Sequence, residues 1–187
     1  MLYKFFFKNC KKIFISGSFQ IRGKKYIQID TFSAGSRIRI DAIKIYNSQS
    51  FSPSIKIGKN FIANNDIHLA CTGTIEIGND VLFGSNIYIT DHDHGIYSYT
   101  SDIPFSSPSE RPMLRHLTSD GYVYIGDNVF IGEYVTILKK VKIGEGCIIG
   151  AHSLVTKDIP SYTIAVGNPA TVIKKYNFQK QAWESCT

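Results

Sequence analysis

The sequence predicts an all-β chain wound as a parallel β-helix, and three observations carry that reading. Ile125, Ile131, Ile137, Ile143, Ile149 and Val155 recur at a spacing of six. Four of them are followed by glycine: Gly126, Gly132, Gly144 and Gly150. A second set trails the first by four positions: Val129, Val135, Val141, Cys147, Ser153 and Ile159. An amphipathic helix repeats its apolar residues every three or four positions and a half-buried strand every two, so neither yields a period of six. A hexapeptide repeat does. Each hexad supplies one short strand and one tight turn, and three hexads close a coil of about 18 residues. The aliphatic residue of each hexad then points inward and stacks on its equivalents one coil above and below.

The same register holds upstream through Ile57, Ala63, Leu69 and Ile75, and restarts after a two-residue step at Ile77, Phe83 and Ile89. Gly58, Gly78 and Gly84 take the small position. Four matching triplets precede a glycine: Ile55-Lys56-Ile57, Ile75-Glu76-Ile77, Val123-Tyr124-Ile125 and Val141-Lys142-Ile143. The last two lie 18 residues apart and the first two 20, so one coil carries a bulge. A sandwich of irregularly spaced strands would not sustain this register.

The β-helix is expected over residues 26–171. Its early coils are irregular, with triplets Ile27-Gln28-Ile29, Ile38-Arg39-Ile40 and Ile43-Lys44-Ile45. Residues 1–25 read as an N-terminal cap, helix then strand. The pattern fails completely over 91–121, a stretch with Pro104, Pro108, Pro112 and many Ser and Thr. Insertions of that length in a compact domain are usually functional. The repeats resume at Tyr122 and end near Asn168-Pro169. A solenoid must protect its terminal repeat, so residues 172–187 are expected to form a C-terminal cap built on a short helix.

At 187 residues, with 43% hydrophobic and 19% charged residues, the chain fits one soluble domain. It contains no run of about 18 apolar residues, which excludes a transmembrane helix, and its start lacks the features of a secretory signal. Four scattered cysteines without a CxxC argue against zinc knuckles and a disulfide framework. A reducing cytoplasm is the simplest compartment, and Cys147, at an inward position, reads as a buried thiol. The net charge of +6 is uneven: residues 1–44 hold ten Lys or Arg against two acids, Asp30 and Asp41. That end is suited to anionic lipid headgroups at a membrane surface or to a polyanionic glycan. No recognition helix, zinc finger or aromatic-basic platform points to nucleic acid.

The hexads, the single long insertion, the run Thr90-Asp91-His92-Asp93-His94-Gly95 at its start, and the terminal Val155-Thr156-Lys157-Asp158-Ile159-Pro160 with Gly167-Asn168-Pro169-Ala170 resemble the hexapeptide-repeat acyltransferases. The nearer resemblance is to the branch holding galactoside, maltose and nodulation-factor acetyltransferases and surface-polysaccharide O-acetyltransferases, over roughly residues 55–175. The resemblance implies a left-handed coil, a homotrimer with active sites between subunits, acetyl-CoA as donor and a sugar or glycan hydroxyl as acceptor, with no metal. It implies a histidine base, a role suited to neutral imidazole near pH 7. The best match is His94 and the second is His92, with Asp93 or Asp91 fixing the tautomer. The oxyanion needs a fixed donor, commonly a backbone N–H, for which Gly132 and Gly150-Ala151 are candidates. For the coenzyme the resemblance implies Phe130, Gly132, Ala151, Thr156, Lys157 and Lys174, the two lysines facing phosphates. Thr171 departs from the arginine that relatives carry nearby.

For the acceptor, Asn64, Asn65, Asp66 and His68 interrupt the apolar register one coil before the break, and the insertion offers Tyr97, Tyr99, Arg111, Arg115 and His116. Three other activities are conceivable on this fold. N-acetylation of a nucleotide-linked amino sugar would often bring an added N-terminal nucleotide-binding domain with a Gly-rich turn, which this sequence lacks. A γ-class carbonic-anhydrase-like zinc site needs two histidines five residues apart, and His68, His92, His94, His116 and His152 include no such pair. A non-catalytic scaffold would not need the histidine and the coenzyme motif.

Overall fold

The computed structural model describes residues 10–98, 104–118 and 120–186. The chain winds into a three-sided prism of parallel strands. On the first face Ile55 pairs with Ile75, Ile75 with Val123 and Val123 with Val141. On the second, Ala63, Phe83, Ile131, Ile149 and Ala165 follow one another. On the third the column is Ile40, Leu69, Ile89, Ile137 and Val155. All of these side chains are buried and belong to one continuous core. Each buried aliphatic side chain stabilises the fold by about 1.5–3 kcal/mol, and the stacking repeats that gain at every hexad. Cys147 is buried as expected, with Sγ 2.9 Å from the carbonyl of Pro160.

The corners explain the non-apolar half of each hexad. Asn60, Asp80 and Asn128 occupy the first corner with φ between 55 and 58°, and Asp66 and Asn86 occupy the second near 60°. Asn and Asp tolerate the left-handed region because their short polar side chains bond locally. The glycine of the hexad answers a different need. A Cβ on Gly126 would lie 2.7 Å from the backbone nitrogen of Glu145, so successive coils approach too closely for a side chain there.

Three elements differ from the sequence reading. Strand pairing starts before Tyr26: Cys10–Ile15 pairs with Ile27–Ala34, and Phe19–Arg22 pairs with Ile38–Ala42. Ile13 and Ile15 close the open end of the core. The helix expected in this cap is absent from residues 10–22, and residues 1–9 lie outside the described residues. The triplet Ile43-Lys44-Ile45 is not a coil strand. Ile45–Tyr46 and Gln49–Ser50 form a small antiparallel hairpin thrown out of the coil, and Ile45 is 70% exposed.

At the other end the expected helical cap is a β-hairpin. Thr171–Asn177 runs antiparallel to Thr163–Val166, and Ala182–Ser185 adds a further strand. The last coil would otherwise present an edge of unpaired backbone groups. The β-branched run Thr171-Val172-Ile173 favours extended backbone and covers that edge. No helix among the described residues is long and apolar enough to cross a membrane.

Candidate active site

The third corner follows Ile87–Thr90, where the coil opens into the insertion. Asp91 there is fully buried. Its carboxylate accepts from the backbone N–H of Thr72 (2.8 Å) and Gly73 (2.7 Å), from Thr72 Oγ1 (3.2 Å) and from His92 Nδ1 (2.9 Å). A carboxylate only accepts, so Nδ1 carries the hydrogen, and in the neutral form of the ring the lone pair is on Nε2. Thr90 Oγ1 adds bonds to the backbone N–H and carbonyl of His92. The imidazole is 5% exposed. The insertion returns to the coil across this pair, and a Cβ on Gly121 would fall 1.4 Å from the carbonyl oxygen of Asp91.

His94 is exposed, with its ring 6.2 Å from that of His92 and edge-on to Tyr46 at 5.4 Å. Partial burial and the neighbouring His92 push its pKa below the usual imidazole value, against the pull of Asp93. Asp93 does not orient either imidazole by a hydrogen bond. It forms an ion pair with Lys139 at 2.6 Å, and Asp91 takes the orienting position instead. The backbone around His94 is held antiparallel to the returning strand by His94–Leu117 pairing and by Gly95 N–H to His116 O at 2.9 Å. The outgrown hairpin braces it: Gln49 bonds both backbone groups of Leu117, and Tyr46 and Asn47 donate to the carbonyl of Met113.

Of the expected acceptor residues, His68 reaches this edge. It sits on the third face, 3.2 Å from Asp41 Oδ2 and against the ring of Tyr88. Burial and the charge of Arg39 lower its pKa, opposed by Asp41. Asn65 and Asp66 belong to the second corner, at the far end of the same strand. There Asn65 accepts from Ser36 N–H and Asp66 pairs with Arg37. In the insertion, Tyr97 donates to the carbonyl of His94, and Arg115 binds Tyr97 and the carbonyls of Pro108 and Glu110, so both hold the loop on itself. Arg111 is exposed at the start of the turn Pro112–Leu114. Tyr99 lies outside the described residues.

The expected coenzyme residues divide between two edges. Phe130 is 41% exposed on the second face, in register with Leu82, Ile148, Ile164 and then Lys174. Gly132 and Ala151 stand at the second corner. The N–H groups of Gly132 and Gly150 are used in the ladder, bonding Ile149 O and Ala165 O, whereas that of Ala151 has no partner among the described residues. Thr156 and Lys157 follow Leu154–Val155 onto the third corner, the edge that carries His92. Strand rise makes the width of a face on the order of 15 Å, so Ala151 and His92 of one chain do not meet. Sequence reasoning missed Asp41, in an early coil, and Gln49, in the hairpin that leaves it, both distant along the chain from the site.

Residues 122–157 match the family model for the bacterial transferase hexapeptide (six repeats). A protein of Escherichia coli K12 named as a lipopolysaccharide biosynthesis O-acetyl transferase, WbbJ, is 36% identical over 185 residues, which is 98% of this chain and 88% of that one. The chain belongs to the hexapeptide-repeat acyltransferases. The Escherichia coli K12 galactoside O-acetyltransferase is 35% identical over 133 residues, 68% of this chain and 57% of its own length. The crystal structure of a maltose O-acetyltransferase from Clostridium difficile 630 superposes with a TM-score of 0.59 at 31% identity, covering 91% of this chain and 70% of that one. The coil is therefore the left-handed β-helix of this family, and the protein is an acyltransferase.

Proposed function

We propose that this acyltransferase moves an acetyl group from acetyl-CoA to a hydroxyl of a sugar in a bacterial surface polysaccharide or its precursor, with His92 as general base. The observation that carries the reading is the Asp91–His92 pair at the coil break. A sugar hydroxyl is a weak nucleophile until its proton leaves. His92 Nε2 takes that proton as the oxygen attacks the thioester carbonyl, and Asp91 stabilises the imidazolium that forms. The tetrahedral oxyanion needs a fixed donor, and the N–H of Ala151, which has no partner among the described residues, is suited to it. Collapse breaks the C–S bond, and the proton passes from His92 to the departing CoA sulfur. His94 was the better match by resemblance, but its ring makes no hydrogen bond among the described residues, so no group fixes its tautomer.

Lys157 and Lys174 are assigned to the coenzyme phosphates, and Phe130 to the pantetheine arm. Phe130 and Lys174 lie on the second face, whereas Lys157 shares the third corner with the base. A threefold assembly would close the site by bringing the third corner of one protomer against the second corner of the next. The likeness to WbbJ along 98% of the chain supports a surface-glycan acceptor, and the donor would place the reaction in the cytoplasm, with the basic N-terminal third toward the membrane surface or the glycan.

The test compares His92→Ala with His94→Ala. Loss of about 10²–10⁴-fold in acetyl transfer, the usual weight of general acid–base catalysis, is expected for His92→Ala, with acetyl-CoA binding retained. The reverse result would reassign the base to His94. Mixed trimers of His92→Ala chains and Lys174→Glu chains should recover part of the activity, and no recovery would refute a shared site.

A further inference from the structure

The third face carries a charged cluster that the acetyl transfer itself does not use. Arg22, Asp41, Ala70 and Thr90 follow one another strand by strand, and Gln20, Arg39, His68 and Tyr88 form the row beside them. Asp41 is only 2% exposed. Its Oδ2 accepts from Arg39 Nε at 2.5 Å, and Arg22 Nε stands 3.5 Å from Oδ1, which has no hydrogen bond among the described residues. Two guanidinium groups thus face one carboxylate. His68 adds no second negative charge, and the cluster keeps a net positive charge.

The two arginines are not equivalent. Gln20, with its amide turned to present oxygen, lies 2.9 Å from Arg22 Nη2 and occupies that head. Arg39 engages Asp41 through Nε, and its Nη atoms have no partner among the described residues, although nearly half of its side chain is exposed. A buried carboxylate that grips Nε aims the rest of the planar guanidinium outward, in the arrangement that binds carboxylate or phosphate by two parallel N–H groups. His68 lies between Arg39 and the base. It pairs with Arg39 in register and packs against the ring of Tyr88. Two strand spacings, about 10 Å, separate Arg39 from Tyr88 on the strand that leads into His92.

We propose that the acceptor is anionic and that Arg39, braced by Asp41 beside Arg22, binds its negative group while a hydroxyl one sugar away reaches His92. This deepens the acetyl-transfer reading above and rests on it. The excess of ten cations over two acids in residues 1–44 would draw such an acceptor toward the same end of the prism. The shared chemistry is a carboxylate or a phosphate, and two acceptor arms distinguish them.

The experiment measures kcat/KM at saturating acetyl-CoA for a neutral oligosaccharide, its uronic-acid counterpart and the matching sugar phosphate. The proteins are the wild type, Arg39→Gln, Arg39→Lys and Arg22→Gln. A charge-assisted bond predicts a preference of about tenfold or more for one charged acceptor. That preference should weaken with salt, fall toward parity in Arg39→Gln and return in part in Arg39→Lys. The arm that shows the preference names the group. Arg39→Lys leaves Asp41 a cationic partner, so it reports even where the Gln variant melts early. Equal use of neutral and charged acceptors by the wild type, or a preference unchanged in Arg39→Gln and Arg22→Gln, would overturn the inference and leave acetyl transfer standing. Binding of acetyl-CoA with no transfer to any sugar would instead bring down the acetyl-transfer reading, and this inference with it.

Discussion

Gln49 holds Leu117 by both of its backbone groups: its amide nitrogen donates to the carbonyl at 3.0 Å, and its amide oxygen accepts the N–H at 2.7 Å. Leu117 in turn pairs with His94, so a hairpin grown from an early coil sets the position of the histidine segment. Gln49→Ala removes both bonds. A fall of about tenfold in kcat is expected, with acetyl-CoA affinity unchanged and a stability loss of about 1–3 kcal/mol for two hydrogen bonds. Steady-state kinetics beside calorimetric acetyl-CoA titration checks this, and an unchanged kcat would deny the hairpin a positioning role.

Asp91 serves two purposes that separate on mutation. Asp91→Asn keeps one acceptor oxygen, which serves Thr72 or Gly73 but not both, and no longer secures the hydrogen of His92 on Nδ1. It should cost about 10²-fold or more in kcat at modest loss of stability. Asp91→Ala leaves buried donors unpaired at about 1–3 kcal/mol each. With about 2–4 °C per kcal/mol for a chain of this size, its melting temperature should drop far more than that of the Asn variant. Equal melting of the two would argue against the buried bonds.

Gly121→Ala drives a methyl group into the carbonyl of Asp91, a backbone atom that cannot yield without moving the pair. Acetyl transfer should collapse in this variant while acetyl-CoA still binds. Gly121→Ala enzyme with ordinary turnover would mean that the return of the insertion does not press on the site.

Adjacent residues of one strand should respond in opposite ways. Ile29 is 1% exposed and Gln28 faces solvent. Chemical denaturation should register a loss of about 2–5 kcal/mol for Ile29→Ala, the usual range for a buried aliphatic truncation, and within about 0.5 kcal/mol of wild type for Gln28→Ala.

His68 and His94 have folded-state pKa values below the ordinary imidazole value. Between those lowered values and about 6.5 the unfolded chain binds more protons, so stability rises with pH through that window. The contribution is fully present above about 6.5 and is lost as pH falls toward the folded values. Denaturation midpoints taken across this range should rise with pH, and the slope should shrink in His68→Gln. A slope of the opposite sign would contradict the neutral state of these rings.

The sequence by itself determined the coil. A period of six cannot be satisfied by a helix or a flat alternating strand, so Ile125 through Val155 could bury their side chains only by stacking. It also marked the break at Asp91, because the register simply stops there. The sequence did not decide which histidine is oriented. His92 and His94 share one face of an extended segment, and only the fold brings the N–H groups of Thr72 and Gly73 onto Asp91 and turns Asp93 toward Lys139. The C-terminal cap was likewise decided by tertiary contact: the open edge of Thr163–Val166 offers backbone bonds that an isolated helix could not use. Asp41 and Arg39 acquire their neighbours by stacking and Gln49 by the hairpin that leaves the coil, so residues dozens of positions apart are brought together, and no local pattern encodes that proximity.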